Sequence, residues 1–128
     1  MKAQDFHLLF KDCMPLFIAL GDEVRLTIIE SLALTGLYDS EGNEISASAC
    51  GHTPSFVKGM NVKDITERTN LSRPAVSHHL KILKEAGLIA VRQEGTANYY
   101  YLTLGDSTKK LCFLGLHLQE LLGDTGNI

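Results

Sequence analysis

Apolar residues recur at helical spacing near the start of the chain, and they predict two helices there. In the first, residues 5–20, the periodic apolar positions are Phe6, Leu9, Phe10, Cys13, Phe17 and Leu20. Pro15 falls inside this pattern, so we expect it to kink or divide the helix. Gly21 breaks the pattern, and Asp22 is a suitable N-cap for a second helix that runs to about Leu34.

The next segment, residues 37–60, has a different composition. Ser, Gly, Asn, Asp and Pro are frequent. The composition predicts a long loop, in which residues 41–43 can turn a short hairpin. Loops of this length are uncommon inside compact domains and often carry function.

Two short helices joined by a tight connection are predicted after this loop. The first covers residues 61–70. Ser72 can cap the second, Pro74 fits its first turn, and the helix is expected to end near Ala86. The apolar residues that face inward on this second helix are Val76, Leu80 and Leu83.

Two β-prone runs, residues 88–92 and 98–103, flank a turn that contains Gly95, and they predict a β-hairpin. A last helix is expected over residues 106–122. The order of elements is therefore a helix-turn-helix over 61–86 followed by a wing over 88–103. We expect a mainly α fold with a β-hairpin wing, about five helices, and one domain spanning residues 1–128.

Charge is distributed unevenly along the chain. The net charge of the 128 residues is −3, but residues 58–92 contain seven Lys or Arg against three Asp or Glu. That segment carries +4 and the rest of the chain carries −7. A basic stretch on an acidic body fits a polyanionic partner, although charge alone better fits a solvated helix surface.

Several classes of protein are not favoured by the sequence. We see no apolar run of membrane-spanning length and no secretory signal, so a cytoplasmic location without membrane contact is expected. Three widely spaced cysteines with no CxxC pair fit a reducing compartment. A Gly-rich phosphate loop, a nucleophile elbow and an HExxH motif are all missing from the sequence, which argues against an enzyme.

The outer face of the second short helix suits the major groove of DNA, because its side chains are small, polar or basic. The candidate DNA-binding residues are Ser72, Arg73, Ala75, Ser77, His78 and Lys81 on this helix and Arg92 in the wing. Arg73 and Lys81 can reach phosphates or guanine edges, and Ser77 and His78 can bond to base edges. A winged helix used only for protein contact is the alternative, but it would show exposed apolar anchors.

Residues 61–65, 71–89 and 92–102 resemble the ArsR/SmtB family of metal-responsive repressors, most clearly in the stretch Ser77-His78-His79-Leu80. Residues 19–29 resemble that family's second-helix signature, with Glu23 and Val24 where the family often has Pro-Thr. Residues 37–60 look like an insertion. The resemblance implies a repressor that binds a near-palindromic operator of double-stranded DNA and that an inducer releases from this operator.

The resemblance also implies a homodimer built by the first and last helices. The apolar residues expected to supply this interface are Phe6, Leu9, Phe10, Leu114, Leu118 and Leu121.

A metal site across the dimer is also implied by the resemblance. No cysteine occurs at residues 60–65, where the thiol-rich sites of the family lie. On the last helix, Asp106, His117 and Glu120 match three of four expected ligand positions for zinc or another divalent metal, whereas Leu104 cannot bind metal. The alternative is a polar stripe on an interface helix.

A thiol or mixed Cys/His site is a further possibility. Cys50 and His52 lie in the inserted segment, and Cys13 lies in the first helix, where simple packing is the alternative. The sequence establishes no cofactor. It leaves open whether the inducer is a metal ion or a thiol-reactive compound, or whether the regulator responds to redox state, to another ligand or to nothing.

Overall fold

The computed structural model of the chain describes residues 3–38, 44–46, 59–103 and 105–123. The helices within these ranges are α1 (Ala3–Leu20), α2 (Glu23–Ala33), α3 (Val62–Thr69), α4 (Arg73–Glu85) and α5 (Asp106–Leu122). The strands are β1 (Leu37–Tyr38), β2 (Glu44–Ser46), β3 (Ile89–Glu94) and β4 (Ala97–Leu102). The expected mainly α fold with a β-hairpin wing is confirmed. Cys50, His52 and most of the 37–60 segment lie outside the described residues.

Helix α1 differs from its prediction in two ways. It continues through Pro15 without a break, so the expected division of the helix is wrong. Pro15 is exposed, so a water molecule can donate to the carbonyl of Lys11 in place of the N–H group that proline lacks. The buried residues of α1 are Cys13, Leu16 and Ala19, so the buried stripe is displaced from the predicted one.

The aromatic residues of α1 explain this displacement. Phe10 packs against Phe6 and Phe17, with ring centroids 5.7 and 5.4 Å apart. These rings form a row along a face that is only partly covered, and Phe17 is 38% exposed. Aromatic rings at helical spacing therefore mark the border of the buried face rather than its centre.

Helices α2, α3 and α4 each begin with a side-chain cap, whereas α5 follows Gly105 and has none. The carboxylate of Asp22 accepts hydrogen bonds from Val24 N (2.8 Å) and Arg25 N (3.2 Å) at the start of α2. Asn61 and Asp64 form a reciprocal capping box on α3, and Ser72 accepts from the amide of the third residue of α4. These caps fix where α2, α3 and α4 begin.

The hydrophobic core lies where α2, α3, α4 and the wing meet the C-terminal half of α1. Its fully buried members include Ile28 and Leu32 of α2 and Ile65 of α3. The predicted inward stripe of α4 is confirmed, and its members are Val76, Leu80 and Leu83. Helix α5 packs mainly on α1, at one side of this core. Among the described residues, no helix is long and apolar enough to cross a membrane.

The wing is a regular antiparallel hairpin. Its register pairs Ile89 with Leu102 at the base and Glu94 with Ala97 at the tip. Gly95 has a φ of 62° at the first central position of the two-residue turn, where a type II′ turn requires a positive φ. Towards the turn, β3 runs two residues and β4 one residue beyond the runs predicted from the sequence, and at the base of the hairpin each strand is one residue shorter than predicted.

The backbone at Met60, at the C-terminal end of the predicted 37–60 loop, also pairs with strand β4 of the wing. Met60 N donates to Tyr100 O, and Tyr100 N donates to Met60 O, each at 2.9 Å. Gly59 precedes this bridge, and a Cβ on it would lie 2.3 Å from Tyr100 O. In the same predicted loop β1 pairs with β2, as expected for a hairpin, although its turn lies outside the described residues.

We expect Gly59→Ala to lower the free energy of unfolding by about 3 kcal/mol, because backbone must move to admit the methyl group. Gly95→Ala is the matched comparison. Its Cβ would meet nothing within 4 Å, so only the positive φ opposes it, at a cost of about 1 kcal/mol. Chemical denaturation measures both. Equal costs for the two substitutions would contradict the close approach at Gly59.

Candidate nucleic-acid interface

Helix α4 has one buried and one exposed face. Because the buried stripe holds α4 to the core, the opposite face is presented to solvent as a unit. Of the residues predicted to bind DNA, Ser72, Arg73, Ser77, His78 and Lys81 are exposed and Ala75 is half-buried. Ser72 also caps the helix through its hydroxyl oxygen, which accepts from Ala75 N at 3.3 Å. This face has the size and polarity of a major-groove reading surface.

Arg92, the candidate in the wing, lies on β3. Its guanidinium forms an ion pair with Glu94 and stands 5.5 Å from the centre of the Tyr99 ring. The side chain is therefore held in place by two neighbours on the wing. A phosphate that binds Arg92 would have to compete with the Glu94 carboxylate.

A polar groove of about 350 Å³ opens where three elements meet. Its walls are residues 61–63 at the start of α3, Arg73 at the start of α4, and residues 96–98 at the wing tip. Lys63 and Arg73 give the walls two positive charges, and none of the described residues that line the groove is acidic. Such a groove suits a phosphate group of a nucleic-acid backbone.

Lys63, Thr96 and Asn98 were not among the candidate residues taken from the sequence. Lys63 lies in the basic stretch of residues 58–92, which favours a polyanionic partner. Its position ten residues before Arg73 does not indicate that the two side chains line one groove. The wing tip reaches the groove only through the fold, since residues 96–98 are distant in sequence from α3.

The three residues proposed to bind metal occupy different environments within the chain. Asp106 and Glu120 are exposed, whereas His117 is completely buried and its ring lies 6.1 Å from that of Phe6. Neither ring nitrogen of His117 has a hydrogen-bond partner among the described residues. The same residues contain no group of three or more potential metal ligands within the single chain.

These environments do not fit a zinc site in the conformation described. His117 points into the contact between α1 and α5 of its own chain, where no ion at a subunit boundary can reach its nitrogens without a rotation of the side chain. The site across a dimer stays a prediction.

Cys13 is buried between α1 and α5, where its thiol donates to Lys110 O at 3.5 Å. Burial raises the pKa of the Cys13 thiol, with a further contribution from Asp12. A thiol that is covered and protonated is a poor nucleophile and a poor metal ligand. The packing role is thus favoured for Cys13, while Cys50 and His52 lie outside the described residues.

Comparison with known proteins places these features in a family. Residues 58–91, which include α3, α4 and the first part of the wing, match the model of the ArsR family of bacterial regulatory proteins. The HTH-type transcriptional regulator MJ1325 of Methanocaldococcus jannaschii is 31% identical over 102 residues, covering 80% of this chain and 89% of that protein. The chain belongs to the ArsR family.

Two further similarities bear on this ArsR-family chain. The transcriptional repressor SdpR of Bacillus subtilis is 46% identical over 43 residues, which cover 34% of this chain and 48% of SdpR. The homodimeric winged helix-turn-helix domain Mb0332 of Mycobacterium bovis has a TM-score of 0.56 and 20% identity, covering 100% of this chain and 97% of that one. The second similarity shows a common fold.

We expect His117→Leu to raise the free energy of unfolding by about 1 kcal/mol, because the imidazole is buried without a hydrogen-bond partner among the described residues. Chemical denaturation, with and without zinc, measures this. Lower stability of the variant, together with loss of a zinc-dependent gain present in the wild type, would instead support the metal site predicted from the sequence.

Proposed function

We propose that this ArsR-family chain is a transcriptional repressor that binds a near-palindromic DNA operator as a homodimer. Helix α4 enters the major groove, and the wing and the start of α3 contact the backbone beside it. Because the partner is chromosomal DNA, the protein acts in the cytoplasm. The observation that carries the proposal is the exposed polar and basic face of α4 next to the cationic groove.

Two classes of contact are assigned to this surface. Arg73, Ser77 and His78 face the base edges from the N-terminal part of α4, and Ser72, Ala75 and Lys81 complete that face. Lys63 holds one phosphate in the groove that it lines together with Asn98. Arg92 binds a second phosphate when it exchanges its partner Glu94 for DNA.

The dimer is assigned to α1 and α5, because both helices leave large apolar residues exposed. These residues are Leu8, Met14, Phe17 and Ile18 on α1, and Phe113, Leu116, Leu118, Leu121 and Leu122 on α5. Large apolar side chains exposed in this number on two adjacent helices are typical of an interface. Leu114 was also predicted from the sequence to lie in this interface. It is buried within its own chain and belongs to the core instead.

Regulation is proposed to act through an inducer that shifts the dimer to a form with lower affinity for DNA. Two inducer classes are considered. A divalent metal would use Asp106, His117 and Glu120 after a rotation of His117, and a thiol-reactive compound would use Cys50. An alternative metal site would combine Cys50 with His52 and, once its thiol is uncovered, Cys13.

A salt titration tests the function directly. Binding to a labelled DNA duplex is followed by fluorescence anisotropy while the salt concentration is raised. For a protein that neutralises phosphates, the logarithm of the association constant falls linearly with the logarithm of the salt concentration. Absence of binding at low salt, to any duplex in a randomised library, would refute the proposal.

We expect Arg73→Ala and His78→Ala each to weaken binding to the selected duplex by about 1–3 kcal/mol, since each removes a base contact. Lys63→Ala and Arg92→Ala should weaken binding to all duplexes alike and reduce the salt slope by about 1. Lys109→Ala, at an exposed position of α5 outside the proposed DNA-binding surface, is the matched control. It should leave both the affinity and the salt slope unchanged. A salt slope for Lys63→Ala equal to that of the wild type would exclude the groove from the interface.

We expect Leu116→Glu to convert the dimer to a monomer, because it places a charge in the apolar interface at a cost of at least about 3 kcal/mol. Leu26→Glu, at a similarly exposed apolar position on α2, is the control and should stay dimeric. Sedimentation equilibrium measures the assembly state. A dimeric Leu116→Glu protein would show that α5 does not form the interface.

A further inference from the structure

Arg25 connects three helices through one guanidinium group. Its Nε donates to Ala19 O at 2.7 Å and its Nη2 donates to Ile18 O at 3.1 Å, at the end of α1. Its Nη1 lies 3.2 Å from Nδ1 of His79 on α4. Helix α1 has no basic residue in its own last turn, so Arg25 supplies the cation that its C-terminal carbonyls favour. Arg25 thereby connects α4, the helix proposed to enter the major groove, to the C-terminal end of α1, which is one of the two proposed dimer helices.

The contact with His79 determines which imidazole nitrogen carries the proton. A guanidinium has donors and no acceptor, so His79 Nδ1 must accept and therefore carries no hydrogen. His79 is then neutral, with its proton on Nε2. Protonation of Nδ1 would remove the acceptor and bring two cations together, so this contact exists only with neutral His79.

His79 also contacts a residue of the DNA-binding face. The rings of His78 and His79 are 5.6 Å apart, with a tilt of 59° between them. His78 is exposed on the proposed reading surface, whereas His79 is half-buried. A continuous series of contacts therefore runs from the carbonyls of α1 through Arg25 and His79 to His78.

The charged and titratable groups recorded around His79 are Arg25 and Asp22 at the start of α2 and His78 on α4 itself. Arg25 carries a positive charge, as His78 does when it is protonated. Asp22 carries a negative charge, and its carboxylate accepts two backbone hydrogen bonds. The hydrogen bond from the Arg25 amide lowers the pKa of Asp22, with smaller contributions from the Val24 amide and the charge of Arg25, so Asp22 stays ionised.

We propose that Arg25 and His79 are positioning residues for DNA recognition: neutral His79 holds α4 against the end of α1, and protonation of His79 releases it. The inference rests on the proposed DNA-binding function. It predicts that operator affinity falls on acidification. This is opposite to the gain expected when an exposed histidine next to DNA becomes positively charged, so the direction of the change distinguishes His79 from His78.

The test uses the full chain and a labelled duplex that the wild-type protein selects from a randomised library. Affinity is measured at about pH 7.5 and about pH 5.5, the range in which imidazoles titrate, at constant ionic strength. For the wild type we expect the affinity to fall roughly tenfold, the effect of losing a hydrogen bond to a charged group.

Three variants separate the roles of the residues. In His79→Gln the side-chain oxygen can accept from Arg25 and does not titrate, so affinity at the higher pH should be close to wild type and should not fall with acid. In His79→Leu the acceptor is lost, so affinity should be roughly tenfold lower at the higher pH and independent of pH. In His78→Gln affinity should be lower, but the fall with acid should persist. Thermal unfolding and sedimentation check that each variant is folded and dimeric.

The tautomer provides an independent readout without DNA. A long-range ¹H–¹⁵N correlation spectrum of the wild type at neutral pH should show His79 protonated at Nε2 only, and Arg25→Gln should remove this preference. Protonation at Nδ1, or an acid-induced fall that persists in His79→Gln, would overturn the inference while leaving DNA binding intact. Failure of the wild type to select any duplex would overturn the proposed function, and this inference with it.

Discussion

Burial of one apolar stripe on α4 is the interaction on which the arrangement of the proposed DNA-binding surface depends. Val76, Leu80 and Leu83 lie one turn apart and pack into a core shared with α2, α3 and the wing. Each fully buried aliphatic side chain contributes about 1.5–3 kcal/mol, so rotation of α4 about its axis would expose several such groups at once. The polar face of α4 is consequently held outward, and the wing, packed on the same core, is held beside it.

The two sides of the molecule satisfy their polar groups to different degrees. Towards the proposed DNA surface, Asp22, Asn61 and Ser72 cap their helices, and Arg25 binds the carbonyls that end α1. Between α1 and α5, by contrast, His117 is buried with no hydrogen-bond partner among the described residues, and the outer sides of both helices are apolar. A buried imidazole without a hydrogen-bond partner is costly, so His117 weakens the contact between α1 and α5. A helix pair of that kind is a suitable place for an inducer or a partner subunit to act.

Much of the fold follows from local signals that are strong in this chain. The caps at Asp22 and Ser72 and the period of the α4 stripe predict the ends and the inner face of the central helices to within one or two residues. Gly95 between two β-prone runs predicts the wing. The first helix was predicted less well, because aromatic residues at helical spacing mark any apolar face, whether it is buried within the chain or exposed for a partner. Pro15 did not divide α1, since an exposed position tolerates the missing donor.

The sequence by itself determined the order of the elements, the outward residues of α4 and the concentration of positive charge in residues 58–92, because each depends on short-range spacing or on composition. Only the tertiary structure decided which distant residues meet. Lys63 and the wing tip form one groove with Arg73, Arg25 reaches His79 across 54 positions, and His117 turns into its own chain rather than to the surface. Such contacts depend on how the helices pack, and packing is set by the fit of many side chains at once, which no local pattern in the sequence records.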